Sequence, residues 1–176
     1  SKNGRWSIKT TNCLGQTTEI QDAGGTIEYI FRADGQPLRT HVSNGSIVQF
    51  KYDEYGRRIE INDPSAGIQT DTTVFNNDGS TISTHKNPNG TIVTYKDAVG
   101  KVIKIERLGE YTTDYTYDSN GLLISEISSN GTSKSYQYDI YDRVVSITET
   151  IPDGKWLKKT YTYCEGNNIS TITYES

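Results

Sequence analysis

A short phrase recurs along the chain, and it limits the possible folds more than any other feature of the sequence. Its clearest copy is Tyr115-Thr-Tyr-Asp-Ser-Asn-Gly121, two aromatic residues that alternate with Thr before an Asp-x-x-Gly tetrapeptide. The final position of the phrase recurs about every 21 residues, at Gly15, Gly35, Gly56, Gly79, Gly100, Gly121, Asp142 and Gly166. Such a regular spacing predicts tandem structural repeats.

A second turn signal lies midway between these positions, as in Ser43-Asn-Gly45, Ser129-Asn-Gly131 and Pro152-Asp-Gly154. The two turns of each repeat leave two runs of roughly six residues, which is the length of a β-strand. Asp-x-x-Gly fits a type I turn, and Asn-Gly and Asp-Gly favour hairpins. The pattern predicts an all-β fold of tandem antiparallel β-hairpin repeats, with roughly 14–16 strands in a curved or spiralling open sheet.

The aligned phrases predict the role of individual turn residues. Asp142 occupies a glycine position and is expected to adopt a positive φ. Cys13 and Cys164 each lie two residues before the last position of their phrase, which places them at equivalent turn sites. The Asp of the phrase, whose side chain can accept hydrogen bonds from turn amides, is aligned at Asp34, Asp53, Asp78, Asp97, Asp118 and Asp139.

Alternation within the runs predicts two different faces of the sheet. Val48, Phe50 and Tyr52 share one face, and Gln49 and Lys51 point the other way. The chain has 13 Tyr, 3 Phe and only 32% hydrophobic residues. This composition suits a thin sheet with tyrosine over one face better than a thick apolar core.

Charge and hydropathy exclude several classes of protein. The net charge is −4 and the 18 basic residues are scattered, so no basic stripe indicates a nucleic-acid partner. No run of 18 apolar residues predicts insertion into a membrane. Residues 1–176 are expected to form a single repeat domain, cut from a longer protein.

Three phrases carry a resemblance to a known family: Tyr52-Asp-Glu-Tyr-Gly-Arg57, Tyr117-Asp-Ser-Asn-Gly-Leu122 and Tyr138-Asp-Ile-Tyr-Asp-Arg143. They resemble the YD repeat of the Rhs (rearrangement hotspot) family. The resemblance implies a non-catalytic antiparallel β-strip from a bacterial secreted or cell-surface protein. In large members of this family the strip forms a shell around a toxic domain, and a carbohydrate-binding role has been proposed.

The tyrosine rows are the candidate binding surface, because aromatic faces stack on sugar rings and phenols donate hydrogen bonds. The alternative is that the same rings stack across strands and hold the hairpins together. The candidate carbohydrate-binding residues are Tyr52, Tyr95, Tyr115, Tyr117, Tyr136 and Tyr138.

No nucleophile, base and orienting group converge in the pattern, so the sequence predicts no enzyme, no cofactor and no metal site. His41 and His85 lie two repeats apart, too far to share a metal ion. A disulfide between Cys13 and Cys164 would close the two ends of the sheet. Side-by-side hairpins would separate the two residues by roughly 60–70 Å, which favours free thiols.

The sequence therefore predicts a non-catalytic scaffold or interaction module with a possible glycan or protein ligand. Carbohydrate binding and a part in a toxin-enclosing shell are the alternatives. Open strand edges predict some edge-to-edge self-association at high concentration.

Overall fold

The part of the chain that the structure describes folds into one open antiparallel sheet of sixteen strands without a helix, which confirms the predicted all-β hairpin repeats. The computed structural model describes residues 6–165 and 167–176. Spatial order follows chain order, so each strand pairs with the strands before and after it in sequence. No membrane-spanning helix occurs among the described residues.

The strands are five to nine residues long and are joined by short turns. Their bounds are β1 (Ser7–Thr11), β2 (Thr17–Asp22), β3 (Gly25–Phe31), β4 (Pro37–Val42), β5 (Ile47–Tyr52), β6 (Arg58–Asp63), β7 (Gly67–Phe75), β8 (Thr81–Asn87), β9 (Gly90–Lys96), β10 (Val102–Arg107), β11 (Tyr111–Tyr117), β12 (Leu123–Ser128), β13 (Ser133–Tyr138), β14 (Val144–Thr150), β15 (Trp156–Tyr163) and β16 (Ile169–Glu175).

The strands fall into two compact units. The N-terminal unit comprises residues 6–72 and 85–90, and the C-terminal unit comprises residues 73–84 and 91–176. Seven of the eight phrase turns have a register shift beside them. One example is the shift between Thr116 and Tyr117 at the end of β11, which pair with Ser125 and Leu123 of β12.

Each phrase turn before Cys164 spans five residues and closes with two backbone hydrogen bonds. In the turn Asp53–Arg57, the amide of Asp53 donates to the carbonyl of Arg57 at 2.9 Å, and the amide of Gly56 donates to the carbonyl of Asp53 at 3.1 Å. The fourth residue takes a left-handed conformation, with φ 78° at Gly56. Asp142 adopts φ 60° at the same position, as predicted. A residue without a Cβ is preferred there because side chains crowd the backbone.

The last turn was wrongly aligned at Gly166. That glycine lies outside the described residues, and Asn167, with φ 67°, takes the fourth position of a turn from Cys164 to Asn168. Asn tolerates this conformation better than most residues. Cys164 is therefore the first residue of its turn whereas Cys13 is the second, so the two cysteines are not at equivalent sites.

The turn aspartates occupy two different positions. Asp53, Asp97, Asp118 and Asp139 begin their turns, and their Oδ1 atoms accept hydrogen bonds from the amides two and four residues later. The alignment of Asp34 and Asp78 with them was wrong. These two residues are third in turns that begin at Arg32 and Asn76, and each accepts from a single turn amide, two residues on.

Little of the sheet is buried. Among the described residues, only Val93, Thr113 and Ser146 are buried, and each exposes 8% of its surface or less. The register confirms the predicted alternation, because Phe50 lies opposite Ile61 while Lys51 lies opposite Glu60 on the other face. Stability must come largely from cross-strand pairs and hydrogen bonds, since there is no thick apolar core.

Candidate interaction surface

The tyrosine immediately before a turn links its hairpin to the preceding one. The Tyr117 hydroxyl donates to the carbonyl oxygen of Val102 at 2.7 Å. The Tyr138 hydroxyl donates to Leu123 at 2.8 Å, and that of Tyr163 donates to Val144 at 2.6 Å. We call this hydrogen bond the tyrosine tie. Each accepting carbonyl belongs to the residue five positions after the first residue of the preceding turn.

The N-terminal unit contains one tyrosine tie, from Tyr52 to the carbonyl of Pro37 at 2.6 Å. Every tyrosine found directly before a phrase turn in the described residues therefore makes the bond. The other phrase turns are preceded by residues with no phenol, namely Thr11, Phe31, Phe75 and Lys96.

Cations from the preceding turn cover three of the tied rings. The guanidinium carbon of Arg143 lies 4.4 Å from the ring centroid of Tyr163, and that of Arg32 lies 4.9 Å from the centroid of Tyr52. The Lys101 ammonium lies 5.1 Å from the Tyr117 centroid. These cation–π contacts add to the attachment of one hairpin to the next.

Tyr115 and Tyr136 lie on the same face as the ties and meet an acidic side chain there. Tyr115 is directly opposite Glu126 in the register of β11 and β12. The Tyr136 hydroxyl donates to Glu126 Oε1 at 2.5 Å. The Tyr115 hydroxyl has no hydrogen-bond partner in the described part of the chain. We call the face that carries Tyr115, Tyr117, Tyr136 and Tyr138 the tyrosine face.

The tyrosine face makes its phenols harder to ionise. Burial raises the pKa values of Tyr115, Tyr117 and Tyr138 above the ordinary tyrosine value, because a phenolate is poorly solvated there. Burial also raises the pKa of Tyr136, and its hydrogen bond to the Glu126 carboxylate raises it further. These phenols are hydrogen-bond donors rather than bases at neutral pH.

Tyr95 does not belong to the tyrosine face. It pairs with Lys104, which pairs with Asp114, and Asp114 is the neighbour of Tyr115 on β11. Successive residues of a strand point to opposite faces, so Tyr95 lies on the other side of the sheet from Tyr115. Its hydroxyl donates to Glu106 at 3.1 Å. In the sequence Tyr95 resembles the other candidates because it precedes a turn aspartate, but it lies two residues before Asp97, whereas Tyr115 and Tyr117 lie three residues and one residue before Asp118.

A shallow cleft of about 260 Å³ borders the tyrosine face at Glu126. Its walls include Glu126, Ser128, Lys134 and Glu149, and the Lys134 ammonium lies 3.2 Å from Glu149 Oε1. None of these polar residues is among the site residues predicted from the sequence. They could have been found there, because Glu126 and Lys134 are charged residues at positions where the alternation predicts the aromatic face.

The two histidines each have an acidic partner within the N-terminal unit. His85 Nδ1 lies 2.7 Å from Asp71 Oδ1, and His41 Nδ1 lies 3.4 Å from Glu28 Oε2. Cys13 and Cys164 are exposed free thiols. Within residues 6–165 and 167–176, no three His, Cys, Asp or Glu side chains group as metal ligands would.

Comparison with known proteins gives a family match inside the C-terminal unit. The model of the RHS repeat matches residues 117–155, which confirms the resemblance for that segment. No curated protein matches the chain. The matched segment contains the donors of two tyrosine ties, Tyr117 and Tyr138, and the acceptor of the second, Leu123.

Solved structures of much longer chains are also similar. One is described as the crystal structure of TcdB2-TccC3-TEV, at 15% identity and a TM-score of 0.37. Another is described as the Photorhabdus luminescens Tc holotoxin pore with a TccC3-D651A mutation, at 14% identity and a TM-score of 0.37. Each match covers 97% of this chain and 12% of the other, so the chain spans about an eighth of the length of these structures.

Proposed function

We propose that this chain, in which residues 117–155 form an RHS repeat, is a non-catalytic scaffold and protein-interaction module of a secreted or surface-displayed bacterial protein. The observation that supports the proposal is that the polar side chains bind the backbone of the repeat itself. Tyrosine hydroxyls and turn carboxylates, the groups that would do chemistry elsewhere, are engaged with backbone amides and carbonyls of the repeat. A group held this way serves the fold and offers little to a substrate.

Deletion of one complete repeat tests this function. Removing residues 118–138 joins Tyr117 directly to Asp139 and leaves an intact phrase. A scaffold of equivalent units should tolerate the deletion, with a β-sheet circular dichroism spectrum and a single cooperative unfolding transition. Collapse of the shortened chain would show that the repeats are not interchangeable structural units, and would contradict the scaffold function.

Carbohydrate binding on the tyrosine face is a second candidate. It is favoured by the unpaired Tyr115 hydroxyl and by the neighbouring cleft with its Glu126 and Lys134 side chains. Tyr52, Tyr117 and Tyr138 suit it less, since their hydroxyls are already bonded to carbonyls. Tyr95, on the other face, would not contribute to the same site.

A glycan array separates the two candidates. The intact chain is compared with a Tyr115→Ala/Tyr136→Ala variant whose sheet content is checked by circular dichroism. Specific binding that is lost in the folded variant would establish the second candidate. Absence of binding would leave the tyrosines as structural. The toxin-enclosing shell implied by the family resemblance stays a prediction, which the protein sequence that neighbours this chain would test.

A further inference from the structure

A second cleft, of about 430 Å³, lies within the N-terminal unit, on the face of the sheet that carries Lys51. Its walls include Ile30, Leu38, Arg39, Gln49 and Lys51. The register brings these residues together, because Ile30 lies directly opposite Arg39 and Arg39 lies directly opposite Gln49. Small-molecule sites in proteins usually have volumes of roughly 300–1,000 Å³. The cleft is therefore large enough for a small organic ligand.

Arg39 brings a buried polar atom without a partner to this cleft. Its Nε is buried and donates to no acceptor among the described residues. Its cross-strand neighbours are Ile30 and Gln49, neither of which is charged. A guanidinium is always charged in proteins and has only hydrogen-bond donors. Because a buried donor without an acceptor is unfavourable, the site favours a ligand that supplies an acceptor, above all an anion.

Two carboxylates flank this row of residues on the same face, and each is engaged by another side chain. The Lys51 ammonium lies 2.9 Å from Glu60 Oε1, on the residue directly opposite it in β6. Glu28 Oε2 lies 3.4 Å from Nδ1 of His41, which is its cross-strand partner in β4. Arg39 therefore keeps a positive charge that these two carboxylates do not pair.

Beside Arg39 the wall of the cleft is aliphatic and open to solvent. Ile30 and Leu38 expose 40% and 43% of their surface. Leu38 lies at the register shift between β3 and β4, where no residue of β3 is directly opposite it. Such irregularities re-aim side chains, and Leu38 and Arg39, although adjacent in sequence, both line the cleft. An exposed aliphatic surface next to an unpaired guanidinium matches a ligand with an apolar chain and an anionic head.

We propose that this cleft binds a small aliphatic carboxylate. The carboxylate accepts hydrogen bonds from the Arg39 guanidinium, whose planar fork matches two carboxylate oxygens, and the aliphatic chain lies on Ile30 and Leu38. The Gln49 carboxamide, directly opposite Arg39, can donate to the same head group. The proposal goes beyond a scaffold function, because it assigns a small-molecule site to the N-terminal unit. It is independent of the carbohydrate candidate, which lies on the tyrosine face of the C-terminal unit.

Titration of the 176-residue chain with octanoate, followed by ¹H–¹⁵N NMR, tests the proposal. The Nε–H signal of Arg39 reports on the head group and the amide signals of Ile30 and Leu38 report on the chain. Acetate keeps the carboxylate without the chain, and octylamine keeps the chain with the opposite charge. We expect octanoate to shift these signals saturably, with a dissociation constant of about 1 mM or tighter. Acetate and octylamine should bind at least about tenfold more weakly, because each lacks one of the two contacts.

Two protein variants locate the site. Arg39→Gln removes the guanidinium and should weaken octanoate binding about tenfold or more, since hydrogen bonds to a charged group are lost. Arg107→Gln makes the same change of charge on β10 of the C-terminal unit and should leave binding unaltered.

Circular dichroism checks that both variants fold, and the comparison of the three ligands tests the unaltered chain even if Arg39→Gln does not. Absence of octanoate binding, or octylamine binding with equal affinity, would overturn the proposal. So would unchanged affinity in a folded Arg39→Gln variant, or an equal loss in the Arg107→Gln variant, because binding would then not depend on the Arg39 guanidinium.

Discussion

The two units of the molecule hold their hairpins together with different side chains. In the C-terminal unit, Tyr117, Tyr138 and Tyr163 tie successive hairpins by hydroxyl-to-carbonyl bonds. In the N-terminal unit, carboxamides at the fifth turn position predominate. Gln16 Nε2 donates to the carbonyl of Gly35, and Gln36 Nε2 donates to that of Gly56, both at 2.9 Å.

The difference shows that the hydrogen bond between neighbouring hairpins can come from a tyrosine or from a glutamine. A phenol reaches the start of the preceding outgoing strand, whereas a glutamine reaches forward to the next turn. The RHS repeat match falls in the C-terminal unit, where the ties are consecutive. The N-terminal unit has the same turn geometry, but glutamine amides as well as a tyrosine hydroxyl donate the hydrogen bonds between its hairpins.

Removal of a turn carboxylate should give the largest single effect, and it should differ between units. Asp139→Ala removes the acceptor for the amides of Tyr141 and Arg143 and the ion pair with Arg143. Asp34→Ala removes one amide acceptor and an ion pair with Arg32. We expect Asp139→Ala to lower the thermal midpoint by several degrees and Asp34→Ala to lower it by less. Equal midpoints measured by circular dichroism would contradict the two-position assignment of the turn aspartates.

Unfolding in acid should also detect the contact between Asp139 and Arg143. The hydrogen bond from Arg143 lowers the pKa of Asp139, helped by amides of the turn. A lowered pKa in the folded state adds stability above the unfolded value, and that stability is lost as the pH falls through the folded pKa. Asp139→Ala should therefore unfold with a weaker pH dependence below pH 4 than the unaltered chain. Identical acid profiles would exclude this contribution.

The next test removes a tyrosine tie from the C-terminal unit and adds one to the N-terminal unit. Tyr117→Phe keeps the ring and should cost about 1 kcal/mol in the free energy of unfolding, since one hydrogen bond is lost. Phe31→Tyr places a phenol at the corresponding position before the N-terminal turn that begins at Arg32, where the carbonyl of Thr17 is the expected acceptor. It should stabilise the chain by about 0.5 kcal/mol or more. Urea unfolding measures both, with the exposed Tyr55→Phe as a control that should change nothing.

The stability of the chain at alkaline pH tests the raised pKa of Tyr136 on the tyrosine face. The ordinary tyrosine pKa is 10.0, and that of Tyr136 is raised in the folded chain. Above pH 10 the unfolded chain gives up this proton while the folded chain keeps it, so stability should fall as the pH rises. Tyr136→Phe should show a smaller fall between pH 9 and about 11. A variant with an unchanged alkaline profile would contradict the raised pKa.

The smallest effect is expected at a glutamine of the N-terminal unit. Gln36 Nε2 is bonded to Gly56, but its Oε1 is buried with no partner. Gln36→Leu removes a useful donor together with an unsatisfied acceptor, and Leu122 already occupies the same turn position in the C-terminal unit. The change in the free energy of unfolding should therefore stay below about 0.5 kcal/mol. A loss of several times that amount would show that the carboxamide bond is as important as a tyrosine tie.

The sequence predicted the repeat, the hairpins, the turn conformation of Asp142 and the alternation around Phe50, because turn chemistry and strand period are local. It did not predict the acceptors of the tyrosine ties. Every residue has a backbone carbonyl, so the residue types do not show which carbonyl accepts the hydrogen bond. It also misplaced Tyr95, because Lys96 stands directly before Asp97 and Tyr95 is shifted by one position. A shift of one residue in a strand moves a side chain to the other face.

The measurement that tests the account most directly is urea unfolding of the Tyr117→Phe/Tyr138→Phe/Tyr163→Phe variant. All three rings are kept and only the tie hydroxyls are removed. The account predicts a folded sheet that is less stable by about 3 kcal/mol, since three hydrogen bonds of about 1 kcal/mol each are lost. A triple variant as stable as the unaltered chain would contradict the claim that tyrosine ties hold successive hairpins together.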